Sequence, residues 1–142
     1  MRGLDISILL VEDDEIDRIS IKRSLKTMRI ANPIVEARDG QEALDILKGQ
    51  SGKEKIKRPY MVILDLNMPK MSGIEFLENL RNDSEIRDSV VFVLTTSSDP
   101  GDKAMAFQLN VAGYIVKSEA GPSFMQALDM MEHYWKIVEF PS

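Results

Sequence analysis

Short apolar runs alternate with segments of helical periodicity along the whole chain. Five runs have the length and apolar content of strands, and they cover residues 6–11, 33–38, 60–64, 90–94 and 113–116. Within the third run, Met61 to Leu64 is apolar without interruption, which is typical of a strand buried on both faces. The polar residue that follows, Asp65, is therefore expected where this strand leaves the core.

Five further segments carry apolar residues at the spacing of amphipathic helices. In chain order, their predicted apolar faces consist of Ile16, Ile19, Leu25 and Met28; Ala43, Leu44 and Leu47; Ile74, Phe76, Leu77 and Leu80; Ala104, Ala106, Phe107 and Leu109; and Phe124, Leu128, Met131, Trp135 and Val138. The third segment also has the capping-box pattern, since Ser72 is followed three residues later by Glu75. Strand and helix alternate five times, which predicts an α/β fold with a parallel sheet covered by helices on both faces.

The composition narrows the class of protein. The 142 residues and the apolar fraction of 44% suit a single globular domain, which we predict to span residues 1–142. The net charge of −5 disfavours broad binding to nucleic acid, and the lack of cysteine excludes disulfides and thiol chemistry. Because neither a signal-peptide pattern nor an apolar run of about 20 residues is present, we expect a cytoplasmic protein without a membrane anchor.

Polar residues whose side chains can bind a ligand or take part in a reaction follow four of the five predicted strands. They are Glu12, Asp13 and Asp14 after the first strand, Asp65 after the third, Thr95 and Thr96 after the fourth, and Lys117 after the fifth. The carboxyl ends of parallel strands share one edge of a sheet, and ligands of open α/β sheets bind in the crevice at that edge. We therefore expect these side chains to form one site.

Clustered carboxylates need a cation, and ligands that offer only oxygen favour Mg²⁺, or Ca²⁺ or Mn²⁺, over zinc. Lys117 and a threonine hydroxyl are suited to neutralising phosphoryl oxygens, so the set fits phosphoryl transfer. Taken singly, each residue also has a plain structural interpretation. The acidic run at 12–14 fits a cap of the first helix, Thr95 a strand end, and Lys117 a solvated lysine.

On the motifs Leu10-Val-Glu12-Asp13, Ile63-Leu-Asp65-Leu-Asn-Met-Pro69, Ser72-Gly73, Leu94-Thr95-Thr96 and Gly113-Tyr114-Ile-Val-Lys117, residues 5–136 resemble the receiver domain of two-component response regulators. The resemblance implies a flavodoxin-like, doubly wound, five-stranded parallel sheet of order 2-1-3-4-5 with five helices. It also implies that Asp65 accepts a phosphoryl group from a histidine kinase.

The same resemblance assigns roles around that aspartate. Glu12, Asp13, Asp65 and the backbone carbonyl of Asn67 would hold Mg²⁺. Thr95 and Lys117 would bind the phosphoryl oxygens. Thr95 and Tyr114 would form a switch that changes the surface of the fourth helix, fifth strand and fifth helix. One departure is Ser118, since the family usually has proline after the lysine, often with a cis bond; the geometry of the Lys117–Ser118 bond stays open.

The predicted fifth helix carries a second apolar stripe. Met130, Tyr134 and Ile137 lie roughly 110° from its core stripe, and Phe140 extends the second stripe into the tail. Either another copy of the chain covers this stripe, or the tail folds back over it. The ending is similar to that of small, stand-alone regulators paired with bacterial phytochrome kinases, whose C-terminal extension, here 137–142, helps to form a homodimer.

Two other functions remain in competition. A hydrolase of the haloacid dehalogenase type also uses an aspartate after a buried strand, but normally has a second aspartate two residues later, where this chain has Asn67. A phosphorylation-independent binding module would not need Asp13, Asp65, Thr95 and Lys117 together. We therefore expect a signalling phosphoacceptor, not an enzyme, that catalyses only its own phosphorylation and slow dephosphorylation.

Overall fold

Five parallel strands form one sheet, and with the strands numbered along the chain their order in the sheet is 2-1-3-4-5. The structure, a computed structural model, describes residues 6–27, 31–117, 129–130, 133–134 and 140–141. The strands are β1 Ser7–Val11, β2 Ile34–Ala37, β3 Tyr60–Leu64, β4 Val90–Thr95 and β5 Gly113–Val116. Every residue of β1 and β3 is buried, as expected for central strands of a parallel sheet. The predicted α/β fold and strand order are confirmed.

Four helices connect the strands: α1 Glu15–Thr27, α2 Gly40–Lys48, α3 Gly73–Arg81 and α4 Pro100–Gln108. Asp39 caps α2, and Ser72 with Glu75 forms the predicted capping box of α3. Of the predicted fifth helix, residues 129–130 and 133–134 are helical, whereas its core-stripe residues all lie outside the described residues. None of the helices in the described ranges has the length and apolarity that crossing a membrane requires.

Alternate strand residues build two separate cores, one on each face of the sheet. Leu9, Val62 and Val93 point to the face that α2, α3 and Ala106 of α4 cover. Ile8, Met61 and Phe92 point to the opposite face, which α1 covers with Ile21 and Leu25. The sheet is therefore a rigid layer clamped between two apolar cores, and its carboxyl edge is the platform on which the polar strand-end residues are held.

The prediction for the apolar face of α1 is confirmed for Leu25 and wrong for Ile16 and Ile19. Ile16 and Ile19 are 76% and 45% exposed, whereas Ile21 and Leu25 are buried and Met28 lies outside the described residues. At about 100° per residue, positions 18, 21 and 25 share one face and positions 16 and 19 the opposite one. Arg18 is buried on the inner face because its guanidinium binds backbone carbonyls at the end of β1, and this contact fixes the rotation of the helix.

The predicted face of α4 is also largely wrong. Only Ala106 is fully buried and Leu109 is half-buried, whereas Ala104 is exposed and Phe107 is 47% exposed. Within α4, the core contact is therefore made by the small side chain of Ala106. This helix therefore presents an apolar outer surface next to β5.

Candidate functional site

Asp65 follows the last residue of β3 and lies at the centre of the carboxyl edge. Its backbone N–H donates to the carbonyl oxygen of Val11 at 3.0 Å, which continues the pairing of β3 with β1 and fixes where the side chain emerges. The residue is 6% exposed. Its Oδ1 accepts a hydrogen bond of 2.7 Å from the hydroxyl of Thr95, which is fully buried at the end of β4. The neighbouring strand therefore supplies a charge-assisted partner for the carboxylate.

Glu12, Asp13 and Asp65 come together as predicted. One carboxylate oxygen of each lies within 4.8 Å of those of the other two. Oxygens bound to one octahedral Mg²⁺ are at most about 4.2 Å apart, and those bound to Ca²⁺ at most about 5.2 Å. The cluster therefore fits a hard divalent cation. Glu12 and Asp65 are buried and Asp13 is exposed, so the cluster opens to solvent on one side.

Asp14 has the other role that the sequence allowed for the acidic run, which is to cap α1. Its Oδ1 accepts hydrogen bonds from the backbone N–H of Ile16 at 2.8 Å and of Asp17 at 3.3 Å. The run at 12–14 is thus divided between two functions. Glu12 and Asp13 belong to the cluster, and Asp14 starts the helix that follows.

Arg18 is a site residue that the sequence analysis missed. Its Nη1 donates to the carbonyl oxygen of Glu12 at 2.9 Å and to that of Asp13 at 3.0 Å, and its Nε lies 3.4 Å from Glu36. The guanidinium of Arg18 therefore holds the backbone of two residues of the cluster, the buried Glu12 and the exposed Asp13. A signal was present, because a basic residue near a helix N-terminus opposes the helix dipole and calls for a specific partner.

Lys117 reaches the site from the end of β5, 14% exposed in its side chain. Its Nζ donates to Glu12 Oε1 at 2.5 Å and to Asp17 Oδ2 at 3.0 Å. In the part of the chain that the structure describes, these two carboxylates are its hydrogen-bonding partners, and Asp65 acts on the ammonium only through its charge. The structure thus joins Lys117 to the site through Glu12, and Asp17 is a second residue that the sequence analysis missed.

Burial and charge oppose each other in this pair. Burial raises the pKa of Glu12 to about 7; the hydrogen bond from Lys117 lowers it only in part, and the charge of Asp65 raises it. Burial lowers the pKa of Lys117, but its hydrogen bonds to Glu12 and Asp17 outweigh this and raise the pKa above its usual value. Burial is the largest of these effects on Glu12, so its carboxyl group retains a proton more easily than that of a glutamate in water.

Tyr114 and Thr95 are linked through the loop that follows β4. The hydroxyl of Tyr114 donates to the carbonyl oxygen of Ser97 at 2.9 Å, and the N–H of Ser97 lies 3.3 Å from the hydroxyl oxygen of Thr95. The ring of Tyr114 is also 6.4 Å from that of Phe107 on α4. Thr95 therefore connects Asp65 on one side to the outer surface of α4 and β5 on the other.

Asn67 lies beside the cluster, its backbone N–H 3.4 Å from Asp65 Oδ1. Its side-chain amide is exposed and donates to the hydroxyl of Thr96 at 3.2 Å. The amide ties the loop after β3 to the end of β4, and it has no proton to exchange with a substrate at ordinary pH.

The residues of the second apolar stripe have different environments. Met130 is 53% exposed, whereas Phe140 is 6% exposed and belongs to the core on the face of the sheet that α1 covers. The ring of Tyr134 packs edge-on against Phe92 at 5.0 Å between centroids and against Phe140 at 6.2 Å. For Tyr134 and Phe140 this is the arrangement in which the tail folds back, and Ile137 lies outside the described residues.

Comparison with known proteins adds to this geometry. The sequence model of the response regulator receiver domain matches residues 8–129. The response regulator Rcp1 of Synechocystis sp. is 34% identical over 128 residues, which are 90% of this chain and 87% of Rcp1.

Two solved structures match nearly the whole chain. The Mn²⁺-bound form of Rcp1 has a TM-score of 0.85 at 33% identity and covers 96% of this chain and 99% of its own. The phosphorylated cyanobacterial phytochrome response regulator RcpA has a TM-score of 0.87 at 32% identity and covers 97% and 99%. The sheet order, the acidic cluster and these matches agree, and the chain belongs to the response regulator receiver domain family, in which it is related to phytochrome response regulators.

Proposed function

We propose that Asp65 is the phosphoacceptor of this response regulator and that Mg²⁺ is the cation of its reaction. A single observation carries the proposal: the buried carboxylate of Asp65 shares one site with two further carboxylates and a buried hydroxyl donor. A carboxylate oxygen of Asp65 forms the new bond to phosphorus. The bond between phosphorus and the donor breaks, and the donor leaves with its electron pair. The attacking group is a carboxylate, so there is no hydroxyl or thiol proton for a protein base to remove.

Glu12, Asp13, Asp65 and the carbonyl of Asn67 are the proposed cation ligands. A bound cation supplies positive charge beside the phosphoryl oxygens. Thr95 already donates to the carboxylate that would carry the phosphoryl group, so its hydroxyl has only to turn toward a phosphoryl oxygen. Lys117 is hydrogen-bonded to Glu12, which belongs to the same cluster, and after the cation it would be the second positive partner of the phosphoryl group.

The proposed switch uses the same hydroxyl. When Thr95 turns toward a phosphoryl oxygen, its contact with Ser97 changes, and Ser97 is the residue to which Tyr114 donates. The surface of α4 and β5 would then respond to a charge change at Asp65. Replacing Tyr114 with phenylalanine should leave labelling of Asp65 intact and remove the change in this surface.

Receiver domains take their phosphoryl groups from histidine kinases, and we propose a kinase of the phytochrome type as the donor. The support is the similarity to RcpA and Rcp1 over nearly the whole chain. A homodimer also remains a proposal. Its support among the described residues is the exposed side chain of Met130, since Tyr134 and Phe140 already have partners within the chain. Sedimentation of the wild-type protein and of Met130→Glu would test it. If both proteins sediment with the mass of a monomer, the homodimer is refuted.

The hydrolase alternative is disfavoured by Asn67, which cannot transfer a proton and whose amide is bound to Thr96. Time courses with acetyl phosphate and Mg²⁺ separate the two functions. A receiver takes up about one phosphoryl group per chain and releases phosphate slowly, whereas a hydrolase releases phosphate steadily. Asp65→Asn should abolish uptake, and Asp88→Asn, a matched change at an exposed aspartate paired with Arg58, should not. Uptake by Asp65→Asn equal to that of the wild type would refute the proposal.

A further inference from the structure

The ammonium group of Lys117 is shared between two carboxylates of different kinds. Glu12 is buried and belongs to the acidic cluster, whereas Asp17 is 37% exposed in its side chain and lies in the first turn of α1, outside the cluster. The contact between Asp17 and Lys117 is 3.0 Å long and joins residues 100 positions apart. It therefore ties the end of β5 directly to the start of α1.

These contacts leave Lys117 little capacity for a further anion. A lysine ammonium has three N–H donors, and two of them are already directed at carboxylates. A phosphoryl group on Asp65 must use the remaining donor or displace one of these partners. A cation held by the cluster would attract the oxygens of Glu12 and weaken their interaction with the ammonium. It would have no such effect on Asp17, which offers no ligand to the cluster.

We propose that Asp17 is a positioning residue that holds Lys117 on the α1 side of the site and competes with the phosphoryl group for its ammonium. The inference rests on the proposed role of Lys117 as a partner of the phosphoryl oxygens. It assigns Asp17 a restraining effect: the unmodified protein keeps the lysine next to α1, and phosphorylation of Asp65 draws it away. Removing the charge of Asp17 should therefore make Asp65 easier to phosphorylate.

A simpler role for Asp17 has to be separated from this one. An acidic residue in the first turn of a helix interacts favourably with the helix dipole. In addition, removing any negative charge near the site reduces the repulsion of anions and so favours their binding. Glu15 provides the matched control. It lies in the same first turn, is exposed, and has no contact with Lys117 among the described residues. Glu15→Gln therefore reproduces the change in charge without releasing the lysine.

The test measures the initial rate of labelling by acetyl phosphate with Mg²⁺, and the affinity for the phosphoryl analogue beryllium trifluoride. For Asp17→Asn we expect both to increase by about two- to fivefold, the range of a partly exposed ion pair. Asp17→Glu keeps a carboxylate within reach and should stay close to the wild type. Glu15→Gln should also stay close to it. No increase in Asp17→Asn, or an equal increase in Glu15→Gln, would overturn the inference.

A second measurement shows whether Asp17 acts through Lys117. Urea unfolding midpoints are compared for Asp17→Asn, Lys117→Met and the double variant, and we expect the double variant to shift less than the sum of the single shifts. Additive shifts would overturn the inference even if labelling became faster. The proposed function fails separately: if wild-type protein and Asp65→Asn are labelled equally, Asp65 is not the acceptor, whatever the effect of Asp17.

Discussion

Loss of the Thr95 hydroxyl should destabilise the protein markedly, because this hydroxyl donates a hydrogen bond to the buried carboxylate of Asp65. Thr95 is fully buried, Asp65 is 6% exposed, and the distance of 2.7 Å between their oxygens lies in the range of charge-assisted bonds. Thr95→Val keeps the shape of the side chain and removes only the donor. A hydrogen bond to a charged group contributes about 1.5–3 kcal/mol, and the carboxylate left behind is buried with one donor fewer.

For a chain of this size, that loss corresponds to a decrease in Tm of roughly 5–10 °C. Urea unfolding of the metal-free protein at pH 8 measures it directly. Thr95→Ser is the matched control, because it keeps the hydroxyl and loses one buried methyl group, at about 1 kcal/mol. The variant without the hydroxyl should therefore be clearly less stable than the variant without the methyl group.

Charge is the origin of the effect, and an Asp65→Asn background tests this. A hydrogen bond between two neutral groups contributes only about 1 kcal/mol, so Thr95→Val should be less destabilising in that background than in the wild type. Equal stability of Thr95→Val and Thr95→Ser, or an equal loss with aspartate and with asparagine at position 65, would refute a charge-assisted hydrogen bond at this site.

Three further changes follow from the geometry of the site. Burial raises the pKa of Glu12 from 4.5 to about 7, so between these pH values the folded protein holds a proton that the unfolded chain releases. The free energy of unfolding of the metal-free protein, measured with urea, should therefore fall by up to about 3 kcal/mol as the pH rises from 4.5 to 7. Glu12→Gln should not show this loss. Arg18→Met removes the donor to the backbone carbonyls of Glu12 and Asp13. It should lower the affinity for Mn²⁺, measured by electron paramagnetic resonance, by about 10- to 100-fold. Lys22→Met, which loses only an exposed ion pair, should leave this affinity unchanged. Gly73→Ala would place a methyl carbon 2.6 Å from the carbonyl oxygen of Asp65, so it should destabilise the protein to urea despite a helix preference for alanine of about 1 kcal/mol; unchanged stability would contradict the tight packing of α3 on this backbone.

The strands and the cluster were predictable because each depends on local sequence. A short apolar run that ends in a carboxylate can be recognised without knowing its neighbours, and parallel pairing then brings Glu12, Asp13, Asp65 and Thr95 to one edge. The capping of α3 was predictable for the same reason, since Ser72 and Glu75 are three residues apart and contact each other directly.

Contacts of long charged side chains were not predictable. Lys117 reaches Asp17 across 100 residues, and the first turn of α1 offers it two acidic residues, Glu15 and Asp17. Only the rotation of α1 selects one of them. That rotation depends on the buried guanidinium of Arg18, a residue that hydrophobic periodicity assigns to the polar face, and the same dependence exposes Ile16 and Ile19.

The intact mass of the protein after incubation with acetyl phosphate and Mg²⁺ shows whether Asp65 is the phosphoacceptor. Wild-type protein and Asp88→Asn should each gain the mass of one phosphoryl group, in a form that is lost slowly after the donor is removed. Asp65→Asn should gain none, and chelation of the cation should prevent the gain in all variants. An unmodified wild-type protein, or a phosphoryl group carried equally by Asp65→Asn, would contradict the assignment of Asp65 as the phosphoacceptor.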